Sequence, residues 1–183
     1  MIPCYVSGAG MFATDTTRDF KTLVIGWLEA SGLGYDTRYR YYRAQLPEFD
    51  PARLARLVCD PIERYDRDWP AYRARSGLPE PQTLARFVAE RDDKFRREAR
   101  VALYCFDEAG IGSGINVMRF VHEGKPVLGF YAAEAAKRRI NLTNVLQLEA
   151  QFPAQVKLAA YRTPADVTAR LAGWLSALES SEA

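Results

Sequence analysis

Val101-Ala-Leu-Tyr-Cys-Phe106, followed by Asp107-Glu108-Ala109-Gly110-Ile111-Gly112-Ser113-Gly114, is the stretch that decides the fold. An unbroken apolar run of this length suits a strand better than a helix. Its lack of polar alternation marks a strand buried on both faces. The acidic pair and the glycines end it, and Val117, Met118 and Val121 then return at helical spacing. Strand, glycine-rich turn, helix is the repeating unit of an α/β fold. The same unit opens the chain. Ile2-Pro-Cys-Tyr-Val-Ser7 breaks at Gly8-Ala9-Gly10. After a cap-like Thr16-Thr17-Arg18-Asp19, residues Phe20, Leu23, Val24, Trp27 and Leu28 recur on one helical face until Gly32 and Gly34.

Working outward, Gly124-Lys125-Pro126 turns the chain into Val127-Leu-Gly-Phe-Tyr131, a further buried strand. A weak helix is expected over Leu142–Leu148 and a last strand over Val156–Tyr161. Thr163-Pro164-Ala165-Asp166 starts the final helix, with a threonine cap, proline in the first turn and an acid three residues after the cap. Tyr35 to Tyr42 alternates loosely and reads as the second strand. Leu84, Phe87, Val88, Arg91 and Phe95 mark the helix before Val101. Between these lies a stretch rich in proline, tyrosine and arginine, residues 43–82, which reads as an insertion with short helices at Ala52–Val58 and Trp69–Arg75. Five strands alternating with helices predict a single domain over residues 1–183: a flavodoxin-like three-layer sandwich around a five-stranded parallel sheet.

Composition narrows the function classes. The 183 residues are 48% hydrophobic and 26% charged, which excludes a disordered or collagen-like chain. No window approaches the apolar length of a membrane span, and no secretory leader is read at the start, so a cytoplasmic protein without a membrane partner is expected. A formal charge of +2 gives little support to nucleic-acid binding. There is one histidine, His122, and the three cysteines Cys4, Cys59 and Cys105 form no CxxC pair. Neither a metal site nor a bound cofactor is expected. In residues 35–75 tyrosines and arginines interleave with acids, which favours a protein interface or a lid over a site over nucleic-acid contact.

In a doubly wound sheet, ligands lie at the carboxyl ends of the strands, where the strand order reverses. That edge would carry Ser7, Gly8, Ala9 and Gly10 after the first strand and Gly110, Gly112, Ser113 and Gly114 after the third. Glycine turns beside helix N-termini suit an anion such as a phosphate, although glycines also serve tight turns alone. Asp107 and Glu108 sit at the same edge as candidate acids.

The ordered set Phe87-Val-Ala-Glu90-Arg91-Asp92, the apolar strand, Gly110-Ile-Gly-Ser-Gly-Ile-Asn116-Val-Met-Arg119, and Gly124-Lys125-Pro126-Val127 resembles the nucleoside 2-deoxyribosyltransferase-like family. Within that family the set looks most like the 2′-deoxynucleoside 5′-monophosphate N-hydrolases. Tyr5-Val-Ser7-Gly8 is similar to the family's first strand and phosphate turn. The likeness covers residues 2–42 and 84–180 and leaves 43–82 without a counterpart. It implies a nucleotide or nucleoside ligand, catalytic positions at Tyr5, Asp92 and residue 116, and a homodimer in which the region of Asn144 reaches the partner's site. One departure is decisive. The family's nucleophilic glutamate falls at Asn116, and an amide is a poor nucleophile for an anomeric carbon. Losing a covalent nucleophile costs on the order of 10⁴ or more in rate.

Three readings follow. The first is a nucleotide-binding relative with reduced or altered N-glycosidic cleavage. The second is an active N-ribosyl hydrolase or transferase using Asp92 with Asp107 or Glu108. The third is a non-enzymatic dimeric interaction protein.

Overall fold

The computed structural model describes residues 1–8, 15–48, 50–51, 66–134 and 141–181, with the side chains of 15–18 left out. Ala9 and Gly10, the expected helix over Ala52–Val58, and Cys59 lie outside the described residues. Five strands form one parallel sheet: β1 (Ile2–Ser7), β2 (Gly34–Asp36), β3 (Val101–Cys105), β4 (Val127–Ala132) and β5 (Val156–Tyr161). Their order is β2-β1-β3-β4-β5, the flavodoxin-like order. Seven helices accompany them among the described residues: α1 (Asp15–Ser31), α2 (Thr37–Gln45), α3 (Trp69–Arg75), α4 (Glu80–Glu98), α5 (Ile111–His122), α6 (Leu142–Gln151) and α7 (Pro164–Ser180).

Register assigns side chains to faces, because successive residues of a strand point to opposite sides. Tyr5 pairs with Ala102, Ser7 with Tyr104, and Tyr104 with Gly129. This row faces α2, α4 and α5; Tyr5 meets Phe120 of α5 with ring centroids 5.6 Å apart. Cys4, Val6, Leu103, Cys105 and Phe130 point to the other side. There Phe20 of α1 packs 5.4 Å from Phe130 and 6.2 Å from Tyr161. Helices α1 and α7 cover that face. β3 is buried at all five positions, as its unbroken apolar run requires.

The helix ends follow the expected chemistry. Gly32 closes α1 at φ +69°, a conformation glycine adopts without penalty. At α7 the side chain of Thr163 accepts the Asp166 N–H, and the Asp166 carboxylate accepts the Thr163 N–H, a complete capping box.

One element departs from the sequence reading. Tyr35 to Tyr42 is not a strand: β2 stops at Asp36, and α2 begins at Thr37. The cause is Asp36, whose carboxylate accepts the Tyr39 N–H at 2.7 Å and caps the helix. It also accepts the Val6 N–H at 2.8 Å, so the side chain continues the β1–β2 ladder where the backbone turns away.

Part of the 43–82 stretch is held firmly to the core. Arg91 of α4 pairs through Nε with the buried Asp66 at 3.1 Å and through Nη2 with Asp68 at 2.5 Å. Trp69 packs on Phe87 at 5.3 Å, and Tyr72 donates to Glu90 at 2.7 Å. Residues 66–76 therefore lie against α4, not loose over the sheet edge.

Candidate functional site

Strand order reverses between β1 and β3, and the side chains with chemistry gather at their carboxyl ends. Ser113, in the first turn of α5, donates its hydroxyl to the Gly8 carbonyl at 3.2 Å. This bond ties the β1 turn to the start of α5. Gly110 caps α5 without a side-chain bond, and Gly110, Gly112 and Gly114 are exposed. The opening N–H groups of a helix have no partner within it, so this end presents donors and a positive dipole to the crevice. A Cβ on Gly110, Gly112 or Gly114 would meet nothing within 4 Å, so no packing requirement explains these glycines.

Below this turn, on the α2/α4/α5 face, lies a polar cluster. Tyr5 is buried, and its hydroxyl donates to Asp92 Oδ1 at 3.3 Å. Burial, and then the Asp92 charge, push the Tyr5 hydroxyl well above its ordinary pKa, so it stays a donor. Arg38 of α2 lies over the Tyr5 ring at 4.9 Å and donates to the Val6 carbonyl at 2.6 Å. Tyr104 is fully buried, and its pKa is raised to about 12 by that burial, while Ser7 and Arg38 draw it down.

Asp92 owes its availability to its neighbours. Arg91 is committed to Asp66 and Asp68, and Arg96 and Arg97 both donate to Asp93. Neither Arg91 nor Arg96 is therefore paired with Asp92. The half-buried Asp92 turns to Tyr5 instead. Asn116 is half-buried on α5, three residues after Ser113, and so shares that side of the helix.

The other candidate positions separate from this cluster. Asp107 is buried and accepts the Ala132 N–H at 2.9 Å and the Tyr161 hydroxyl. Both bonds tie the end of β3 to the ends of β4 and β5, on the α1/α7 side of the sheet. Asp107 is therefore on the opposite face from Asp92. Glu108 is half-buried at φ 59°, in a turn closed by the Ala109 N–H on the Phe106 carbonyl at 3.1 Å. A non-glycine residue there stores backbone strain. Asn144 is exposed on α6, where its N–H is capped by Asn141. Lys125, part of the family-like Gly124-Lys125-Pro126, lies at the amino end of β4. It donates to the Arg96 and Arg97 carbonyls at 2.8 and 3.3 Å, closing the last turn of α4.

Sequence reasoning missed Arg38, Tyr104 and Asp36. The first and last were hidden by reading α2 as a strand, and Tyr104 by reading β3 as uniformly apolar. Asp36 ends β2, where dinucleotide-binding folds place a ribose-binding acid. Its two oxygens are instead committed to Val6 and Tyr39. Burial raises its pKa against the pull of Arg38 and the surrounding amides. Among the described residues no group of three or more histidine, cysteine or acidic side chains could hold a metal ion. No described helix is long and apolar enough to cross a membrane.

A comparison with protein-family models finds no match to this chain, and a comparison with curated proteins finds no significant one.

Proposed function

We propose that the protein binds a nucleotide at the carboxyl ends of β1 and β3, as a relative of the nucleoside 2-deoxyribosyltransferase-like family whose N-glycosidic cleavage is reduced or altered. The observation that carries this reading is the Ser113–Gly8 bond, which joins the two glycine turns at the point where strand order reverses. The phosphate would lie on the first turn of α5 and the Ser7–Gly8 turn. The sugar would lie over Tyr5, Asp92 and Arg38. Asn116 supplies an amide where cleavage through a glycosyl-enzyme needs a carboxylate.

The Tyr5–Asp92 contact favours a second reading, in which Asp92 alone supports residual hydrolysis. The pairing of Asp92 with Asp107 has no support, because the two lie on opposite faces and Asp107 is committed to Ala132 and Tyr161. A second copy of the chain is proposed to cover the exposed Ile111 and Ile115, which stand one turn apart beside the site at 87% and 51% exposure.

The test measures binding and base release together. Ribo- and deoxynucleoside monophosphates are titrated by calorimetry, and free base is quantified by chromatography. Binding with negligible base release, and a gain of release in Asn116→Glu, is the expected result. Base release at an ordinary enzymatic rate that is lost in Asp92→Asn moves the weight to the second reading. Absence of binding, with a dimer in solution, moves it to a non-enzymatic interaction protein.

A further inference from the structure

We propose that the outer edge of β5 is a docking site for an extended acidic peptide segment, which joins the sheet as a sixth strand. In the order β2-β1-β3-β4-β5, β5 is a terminal strand, and no strand pairs with its far side among the described residues.

Register identifies the groups that face outward. The Gln155 and Tyr161 carbonyls accept the N–H groups of Val127 and Ala133, so the odd-numbered positions bond toward β4. The even-numbered positions, Val156, Leu158 and Ala160, turn their N–H and C=O groups away from the sheet. Both ends of this edge are closed: the Val156 N–H donates to the Phe152 carbonyl at 2.9 Å, and the Arg162 N–H to Asp166 at 2.9 Å. Between them, the Leu158 N–H has only the Glu149 carboxylate, at 3.3 Å, and the Ala160 N–H has no partner among the described residues. Glu149 of α6 thus stands where the carbonyl of an added strand would stand, through a long hydrogen bond.

Room for a strand lies beside these groups. A cavity of about 370 Å³ opens at this edge, with Leu158 and Glu149 on one side and Ala169, Gly173 and Trp174 of α7 on the other. Ala169 and Gly173 are exposed, and a Cβ on Gly173 would meet nothing within 4 Å, so another backbone can approach α7 closely. Leu158 and Trp174 are half-buried and leave apolar surface for the alternating side chains of an added strand.

Charge selects the occupant. Lys157 and Arg170 line the cavity against a single carboxylate, that of Glu149, which the incoming backbone displaces from Leu158. Lys157 donates to the Pro153 carbonyl at 2.9 Å, and neither cation has an ion pair among the described residues. Opposite charges across a strand pair stabilise it, and like charges oppose it. Main-chain bonds to Leu158 and Ala160 supply affinity, and acids facing Lys157 and Arg170 supply selectivity. None of these residues belongs to the cluster at the ends of β1 and β3.

The experiment uses a blocked hexapeptide of alternating glutamate and valine as probe, with the lysine–valine hexapeptide as control. Binding to the full chain is read by calorimetry and by amide hydrogen exchange. The glutamate peptide is expected to bind at least about tenfold more tightly than the lysine peptide. It should also slow exchange of the Leu158 and Ala160 amides about tenfold. Glu149→Ala should tighten binding severalfold, and Lys157→Glu should weaken it about tenfold. Ala160→Pro should abolish binding, since it removes an outward N–H and leaves the β4 ladder intact. Should Ala160→Pro lower the melting temperature, Glu149→Ala and Lys157→Glu carry the test. Failure of the glutamate peptide to bind, equal affinity for the two peptides, or binding unchanged in Lys157→Glu overturns the proposal. Self-association of Glu149→Ala without peptide binding overturns it too, and assigns the edge to a second copy of the chain.

Discussion

Gly129 of β4 sits in the row Ser7–Tyr104–Gly129–Leu158 that crosses the sheet below the site. A Cβ there would stand 2.2 Å from Phe106 Cε2, 2.9 Å from Phe106 Cδ2 and 2.8 Å from Leu158 Cδ2. Ordinary carbon contacts lie at about 3.5–4.0 Å, so the Phe106 ring would have to retreat by more than 1 Å. It has little room, being 4% exposed and stacked on Tyr104 at 5.8 Å. Overpacking of this kind costs about 1–3 kcal/mol. Replacing a strand glycine by alanine returns about 0.5–1 kcal/mol of backbone entropy. The 2.2 Å approach places the cost in the upper half of that range, so Gly129→Ala should destabilise the fold by a net of about 1–2 kcal/mol. For a chain of this size that lowers the melting temperature by about 2–8 °C. Calorimetry checks the magnitude, and the double variant Gly129→Ala, Phe106→Leu checks the cause. The second substitution should recover part of the loss, a coupling expected only of residues in contact. A melting temperature of Gly129→Ala at or above that of the wild type would refute the reasoning.

Three further outcomes are expected. Burial raises the pKa of Asp36, so the folded state holds its proton more tightly than the unfolded chain. The contribution of Asp36 to stability is thus greatest below the ordinary aspartate pKa and declines as pH rises through the raised value. Urea midpoints across that window should lose this decline in Asp36→Asn, and an unchanged slope refutes the assignment. Cys4 and Cys105 are buried, with pKa values pushed up to about 12. In a Cys59→Ser background, both should resist a thiol reagent until the protein is unfolded; rapid labelling of the native state contradicts their placement. Asp66→Ala removes the buried partner of Arg91 and leaves that guanidinium to Asp68 alone. It should cost about 1–3 kcal/mol and expose residues 66–76 to limited proteolysis, whereas wild-type proteolytic stability would show that the ion pair does not fasten this segment.

The fold was legible because its signals are local and agree with one another. The β3 run, the Gly32 stop and the Thr163 cap each name one element. The interruption at Asp36 was harder, since Tyr35 to Tyr42 has no clear apolar period and α2 is held by a single side-chain cap and by tertiary contacts. Thr37 bonds the Phe95 carbonyl at 3.2 Å, and Tyr42 packs 5.9 Å from Phe95. In both contacts the partner, Phe95, is more than fifty residues away, beyond what a local pattern registers. Arg38 was lost with that helix.

The acids near the end of β3 show why a site is harder to read than a fold. Asp107 lies two residues after Cys105, and Cys105 is in register with Phe130, on the side covered by α1. Period-2 alternation carries Asp107 to that same side, where Tyr161 and the Ala132 N–H receive it. Tyr5 and Ser7 alternate to the other side, toward α4 and Asp92. Proximity to a strand end therefore does not assemble a pair of acids; the parity of their positions does. By that rule the partners available to Asp92 are those on the Tyr5 face, Arg38 and Tyr104 among them. On the proposed reading, this edge would offer a ligand one carboxylate and a guanidinium, held in place by two buried phenols, with the amide of Asn116 on the neighbouring helix. Such a set supplies only one anion to meet a developing positive charge. Adding a second one by Asn116→Glu is therefore the substitution that tests that reading most directly.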